Sequence, residues 1–327
     1  MRPWIDGHLD LAYVHLGGRD LERPHDDPAT GCVDLPALRA ALVDPIFATI
    51  FTEPVTNDGD EASAYRRHDP DHARAVGIRQ LQVYQAWARD GAASIVLTAA
   101  DLEPNDHPTP RLVILMEGAD PITGPDDVPF WFNRGVRIVG LTWAMGTRYA
   151  GGNAAPGPLT DAGRALVASL DAHGIVHDLS HLADEAVDQL LTLTNGRVVA
   201  SHSNARTLHG TDDQRHLCDA HIRAIGERDG IVGLNLFAPF VRRDQPPTVS
   251  DAIAHVEHVT EIMGHRRGVA LGSDMDGGFP PTRLVAGVDH PSRLEALADG
   301  LSAAGWSDAE ITGFASTNWL RFLREVL

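Results

Sequence analysis

Five short stretches place metal-binding side chains where apolar runs end: DGHLD at 6–10, MEGAD carrying Glu117, HDLSH ending at His181, ASHSN carrying His202, and LGSDMDG carrying Asp274. In an extended segment His8 and Asp10 lie two residues apart, point to the same side and can share one ion. A carboxylate such as Glu117 at the end of an apolar strand is costly unless a cation or a donor compensates it. Imidazoles with carboxylates suit zinc, and also manganese, iron or cobalt. Sulfur offers little, because the chain has only Cys32 and Cys218. Three histidines, one aspartate and one glutamate suffice for two ions if one carboxylate bridges them. Two ions about 3.5 to 4 Å apart can hold a hydroxide between them and polarise a scissile carbonyl, which gives hydrolysis without a Ser or Cys nucleophile. Each stretch is weak alone in a chain with 17 histidines, among which His255, His258 and His265 sit near one predicted helix. The joint pattern carries the expectation of a metal site.

Such residues need elements that bring them to one face. Apolar or β-branched runs at Trp4–Leu9, Pro45–Phe51, Arg111–Met116, Val136–Thr142, Gly174–Leu179, Val198–Ser201, Ile231–Leu236 and Gly268–Ser273 predict eight strands. Helical spacing between them predicts helices at Pro70–Arg89, Asp161–Ala172, Asp184–Leu193, Asp219–Arg228 and Ser250–Met263, and a C-terminal pair from Ser292 and Ser307. Thr160, Asp184 and Ser250 are expected at N-caps. Alternating strands and helices predict an α/β fold, and eight units favour a (β/α)8 TIM-type barrel, residues 1–327 as a single domain, over a doubly wound open sheet. In a barrel the C-terminal ends of the strands form the active-site face, which is where all five stretches fall. The segments Thr52–Arg67 and Arg148–Pro158 are polar and rich in Gly and Pro, and read as loops over that face.

A formal net charge of −18 argues against nucleic acid or an anionic membrane as partner. Two cysteines do not make a disulfide scaffold. The first residues lack the charged and apolar regions of a signal peptide, and no run of 18 apolar residues would span a bilayer. The expectation is a soluble, cytoplasmic protein.

The stretches DGHLD, MEGAD, DLSH, SHSNAR, IVGLNLF, LGSDMDG and STNWLRFL occur in one order over almost the whole chain. Together they resemble the membrane dipeptidase, or renal dipeptidase, family of zinc peptidases within the amidohydrolase-like barrels. The resemblance implies a binuclear zinc-dependent dipeptidase with two Zn2+ per chain, small dipeptides as substrates, L,D-dipeptides among them, and a homodimer. It implies that His8 and Asp10 bind one zinc, His181 and His202 the other, and that Glu117 bridges them. Asp274 would sit by the metal-bridging hydroxide as the proton shuttle, with Asp276 the alternative.

Two positions depart from the family pattern. The family's histidine after the fourth strand, which helps stabilise the oxyanion, is replaced in LTWAMG by Trp143. An indole donates one N–H and cannot be protonated. Losing an oxyanion donor costs on the order of 10² to 10³ in turnover. Arg148 or Asn153 is the candidate substitute. The arginine that grips the substrate carboxylate is matched by Arg215, two residues further along than usual, with Arg206 as the alternative. The departure at Trp143 leaves two other readings open: a metal-dependent hydrolase of another small amide, lactam or ester, and a catalytically inactive metal-binding homologue. His177 reads as a core imidazole, Asn235 and Asn318 as structural hydrogen-bonders, and Trp4, Trp131 and Tyr149 as core aromatics.

Overall fold

The computed structural model describes residues 2–25, 27–55, 61–103, 109–210 and 213–327. Eight parallel strands form a nearly closed barrel in sequence order: β1 (Trp4–Leu9), β2 (Val43–Phe51), β3 (Arg111–Glu117), β4 (Val136–Gly140), β5 (Val176–Asp178), β6 (Val198–Ala200), β7 (Ile231–Leu234) and β8 (Val269–Leu271). A two-residue strand, Ser94–Ile95, pairs with the start of β3.

The strands read as apolar runs because helices cover the outside while side chains fill the inside. Parity separates the two faces. In β3, Leu112, Ile114 and Met116 pack outward into the main core, whereas Val113 and Leu115 point into the barrel. In β2, Ile46, Ala48 and Ile50 pack outward and Phe47 inward. All eight strands contribute to the interior cluster, from Ile5 to Ala270. The helix Asn318–Val326 plugs it with Trp319, Phe322 and Leu323, and the Trp319 indole donates to Leu271 O at 2.8 Å. Truncating so large a buried aromatic costs about 3 to 5 kcal/mol.

The seam between β8 and β1 is closed by a side chain. Asp6 Oδ1 accepts from Ser273 N at 2.8 Å, Asp6 Oδ2 accepts from Ser273 Oγ at 2.5 Å, and Asp274 N donates to His8 O at 3.3 Å. A β-carbon on Gly233 or Gly272 would come within 1.9 or 1.8 Å of Ser201 O, so these glycines let the end of β6 lie tight against its neighbours.

Several expected boundaries move. Thr160 is an N-cap and accepts from Gly163 N at 3.0 Å, but Asp184 is the first helical residue behind Ala183. Ser250 is already helical, because Thr248 and Asp251 form a capping box two residues earlier. The segment from Ser307 is broken into Asp308–Thr312, a π-helical Gly313–Thr317 and Asn318–Val326, which delivers Asn318 Nδ2 to Val269 O at 2.8 Å. The two segments read as loops carry short strand pairs, Glu53–Val55 with Ala64–Arg66 and Ala150–Gly152 with Ala155–Leu159; residues 56–60 lie outside the described residues. No helix among the described residues is long and apolar enough to cross a membrane.

Candidate metal centre at the barrel mouth

The strand ends bring His8, Asp10, Glu117, His181, His202 and Asp274 together, all buried. Glu117 follows Leu115 by two residues and therefore points inward like it. Its two oxygens face different imidazoles. Oε1 lies 3.0 Å from His181 Nε2 and 3.3 Å from His202 Nε2, while Oε2 lies 3.4 Å from His8 Nε2. His8 Nε2 is also 3.7 Å from Asp10 Oδ1, and His8, Asp10 and Asp274 bring ligand atoms within 4.8 Å of one another.

The far side of each ring is anchored. Asp178 Oδ1 accepts from Ser180 N at 3.0 Å and from Ser201 N at 2.9 Å, and its Oδ2 accepts from Ser201 Oγ at 2.5 Å. Ser201 Oγ lies 2.8 Å from His202 Nδ1 and 3.3 Å from His8 Nδ1. Asn153 grips His181 twice: its N–H donates to His181 O at 2.8 Å, and its Oδ1 lies 3.0 Å from His181 Nδ1. With protons on Nδ1, all three Nε2 atoms turn lone pairs inward, the arrangement typical of metal-ligating histidine. Thr49 Oγ1 donates to Asp10 Oδ1.

This donor set fits a divalent cation. His181 Nε2 and His202 Nε2 are 3.0 Å apart, and two lone pairs at that distance repel unless something positive lies between or beside them. His8 Nε2 is buried without a hydrogen-bond partner. Burial opposes charge on His8, yet Glu117, Asp10 and Asp274 outweigh it and raise its pKa to about 10, so the surrounding carboxylates demand a positive charge at that atom. Burial and the nearby Arg215 charge lower His181 to about 4, which keeps it neutral and able to ligate.

His181 and Asp274 both have left-handed backbone, with φ of 64° and 61°. Such conformations cost on the order of 1 to 3 kcal/mol each and concentrate where a side chain must be aimed. Asp274 Oδ2 accepts from Asn235 Nδ2 at 2.9 Å, and Asn235 Oδ1 accepts from Phe237 N at 2.7 Å. Burial raises the Asp274 carboxyl to about 7. Asp276 is occupied elsewhere: it pairs with Arg19 and accepts from Val33 N at 2.7 Å, tying the loop after β1 to the loop after β8.

Arg215 lies buried beside the centre, donating from Nη1 to Ser203 Oγ at 2.9 Å and from Nη2 to His202 O at 2.8 Å. Arg206 instead grips Asp184 with both terminal nitrogens, at 2.7 and 2.6 Å. Trp143 is half-buried at the rim, its ring 6.1 Å from His181 and 5.4 Å from Phe51. Arg148 is a poor substitute for the missing histidine, because Nη2 donates to Asp120 O and Ile122 O at 2.5 and 2.6 Å. Away from the centre, His177 Nε2 meets Asp171 Oδ1 at 2.7 Å, and Tyr149, Trp4 and Trp131 are core.

Sequence reasoning missed Asp178 and Ser201, understated Asn235, and singled out Asn153 as an oxyanion donor, whereas its side chain meets His181 Nδ1. Parity would have found the first two, since Asp178 follows inward Val176 and Ser201 follows inward Val199 by two residues.

The family described as membrane dipeptidase (peptidase family M19) matches residues 1–327. An uncharacterised protein of Klebsiella pneumoniae is 31% identical over 266 residues, which covers 76% of this chain and 93% of that one. A dipeptidase of Aspergillus oryzae is 28% identical over 99% of this chain and 78% of its own. A metallopeptidase of Rhodobacter sphaeroides, solved with a phosphinate mimic of the dipeptide L-Ala-D-Ala, superposes with a TM-score of 0.86 at 25% identity, covering 100% of this chain and 99% of that one. The chain belongs to the membrane dipeptidase family, peptidase family M19, and so to the metal-dependent hydrolases of the peptide bond.

Proposed function

We propose that the protein is a binuclear zinc dipeptidase, acting on dipeptides that include L,D-dipeptides. The observation that carries this is Glu117, whose two oxygens face two different imidazole sets. His8, Asp10 and Glu117 Oε2 would hold one cation, and His181, His202 and Glu117 Oε1 the other. Bound cations would supply Lewis acidity toward the scissile carbonyl and lower the pKa of water.

The protein's own groups do the rest. The Asp274 carboxylate, held at Oδ2 by Asn235 and facing His8 and Asp10, takes a proton from the attacking water and returns it to the leaving amine. The buried Arg215 guanidinium keeps N–H groups beyond the two it uses on Ser203 and His202, and these would grip the substrate carboxylate. Trp143 would form a wall of the substrate site next to His181. The phosphinate mimic of L-Ala-D-Ala bound by the Rhodobacter sphaeroides relative supports a substrate of that size and stereochemistry.

Two variants follow. Asn235→Ala is expected to lower kcat by about 10- to 100-fold, as loss of an orienting hydrogen bond does, with the cations retained. Elemental analysis beside steady-state kinetics checks this, and loss of cations with turnover would show a different role. Trp143→His restores a donor that can be protonated at the rim and is expected to raise kcat on L-Ala-L-Ala by on the order of 10-fold or more. An unchanged kcat would mean that another group already serves the oxyanion.

The test of the reading is a substrate panel: L-Ala-D-Ala, L-Ala-L-Ala, a β-lactam and an aliphatic ester, each assayed with and without chelator. Chelator-sensitive cleavage of the dipeptides supports it. Turnover of the lactam or ester alone would overturn the substrate assignment in favour of a related hydrolase, and that alternative rests on Trp143.

A further inference from the structure

We infer that the Ser201 hydroxyl is a positioning group shared by both cation pockets, and that Asp178 dictates which way its hydrogen points. This rests on the two-cation reading above. A hydroxyl has one hydrogen to give and two lone pairs to accept with. Ser201 Oγ has three close partners, Asp178 Oδ2 at 2.5 Å, His202 Nδ1 at 2.8 Å and His8 Nδ1 at 3.3 Å, and a longer fourth, Ser180 Oγ at 3.5 Å, which accepts from His202 N at 3.2 Å. A carboxylate only accepts, so the hydrogen goes to Asp178. Both remaining lone pairs then face imidazole nitrogens, and those nitrogens must carry N–H. One hydroxyl therefore fixes the tautomers of two rings assigned to different cations, and leaves Nε2 of each free to ligate.

The surroundings hold this arrangement in one orientation. Asp178 cannot turn away, because its Oδ1 accepts from Ser180 N and Ser201 N at 3.0 and 2.9 Å. All of these groups are buried, and bulk water does not offer a substitute acceptor. The His8 and His202 rings stack with centroids 3.6 Å apart, so movement of one disturbs the other. His181 belongs to a separate anchor, Asn153, and is not governed by Ser201.

The two obvious variants have different consequences. In Asp178→Asn, the side-chain oxygen must still accept from the two backbone N–H groups, which turns the amide nitrogen toward Ser201. That nitrogen donates to Ser201 Oγ, the hydroxyl hydrogen is redirected to one imidazole Nδ1, and that ring must carry its proton on Nε2. One ligand is lost while the other stays. In Ser201→Ala, both rings lose their Nδ1 acceptor and both pockets weaken.

The experiment is a zinc titration of full-length wild type, Asp178→Asn and Ser201→Ala in competition with a chromophoric chelator, with thermal melting to establish that each variant is folded. Wild type is expected to take up two zinc ions. Asp178→Asn is expected to lose at least 10-fold in affinity for one zinc and to keep the other near its original affinity, and Ser201→Ala to lose about 10- to 100-fold for both. A histidine ¹⁵N spectrum of the zinc-loaded protein shows which ring nitrogens carry hydrogen, and Asp178→Asn should change one of the two rings and leave the other as in wild type. Should Ser201→Ala not fold, the Asp178→Asn titration and spectrum decide alone. Equal loss at both pockets in Asp178→Asn, or wild-type affinity in either variant, overturns the inference while leaving two-zinc uptake by wild type intact. A wild-type protein that takes up fewer than two zinc ions would instead overturn the reading on which it stands.

Discussion

Asp274→Asn is expected to lower kcat on L-Ala-D-Ala by on the order of 10² to 10⁴ while the protein keeps its cations and its fold. That range corresponds to about 3 to 5 kcal/mol of transition-state stabilisation. Asparagine fits the same space and can still meet Asn235, but it cannot take up a proton at neutral pH. Asp274 has the position for proton transfer: it is buried, aimed inward by left-handed backbone at φ 61°, and steadied by Asn235 at 2.9 Å. A residue of purely structural importance would lower stability and leave kcat per folded molecule unchanged. Steady-state kinetics, elemental analysis and thermal melting on one preparation separate the two cases, and a variant with wild-type kcat would remove Asp274 from the proton path.

Glu117→Gln is expected to have the second large effect, on cation binding at both pockets at once. The carboxylate faces His181 and His202 with one oxygen and His8 with the other. The amide is neutral, and its NH2 end must present hydrogens to one of the pockets. Removing one partner of a buried charge pair costs about 3 to 5 kcal/mol, which translates into on the order of 10² to 10⁴ in affinity. Because cations that bind only the folded chain stabilise it by mass action, wild type should melt higher in zinc than in chelator, and Glu117→Gln should lose most of that difference. A variant that loses a single zinc and keeps the second at full affinity would show that Glu117 serves only one pocket.

Much of this centre was legible in the sequence because a barrel converts sequence position into spatial position. An inward residue at the end of each strand lies on one face, and DGHLD, MEGAD, DLSH, ASHS and GSDMDG each end a strand. The ends themselves were less legible. β4, β7 and β8 stop two residues short of the apolar runs that announced them and β5 one residue short, since the residues after them leave the ladder to aim side chains at the centre. His181 at φ 64° is such a case, and nothing in the letters DLSH forecasts a left-handed histidine.

The supporting residues were harder to read for a different reason. Asp178 and Ser201 do not stand out beside the histidines that follow them, Asn153 stands out only as an oxyanion candidate, and the roles of all three depend on partners far away in the chain. Asn153 lies in the Gly-rich segment whose short hairpin places it over His181. The C-terminal segment failed locally, because helical spacing does not register the π-helical turn that sets Asn318 and Trp319 under the barrel.

The most direct test of the binuclear centre is the metal content of protein purified without added metal, measured by elemental analysis and paired on the same sample with L-Ala-D-Ala hydrolysis before and after chelation. Close to two divalent cations per chain are expected, with loss of turnover when they are stripped and recovery on adding zinc. Full turnover from a protein that holds one cation per chain or none would contradict the binuclear centre.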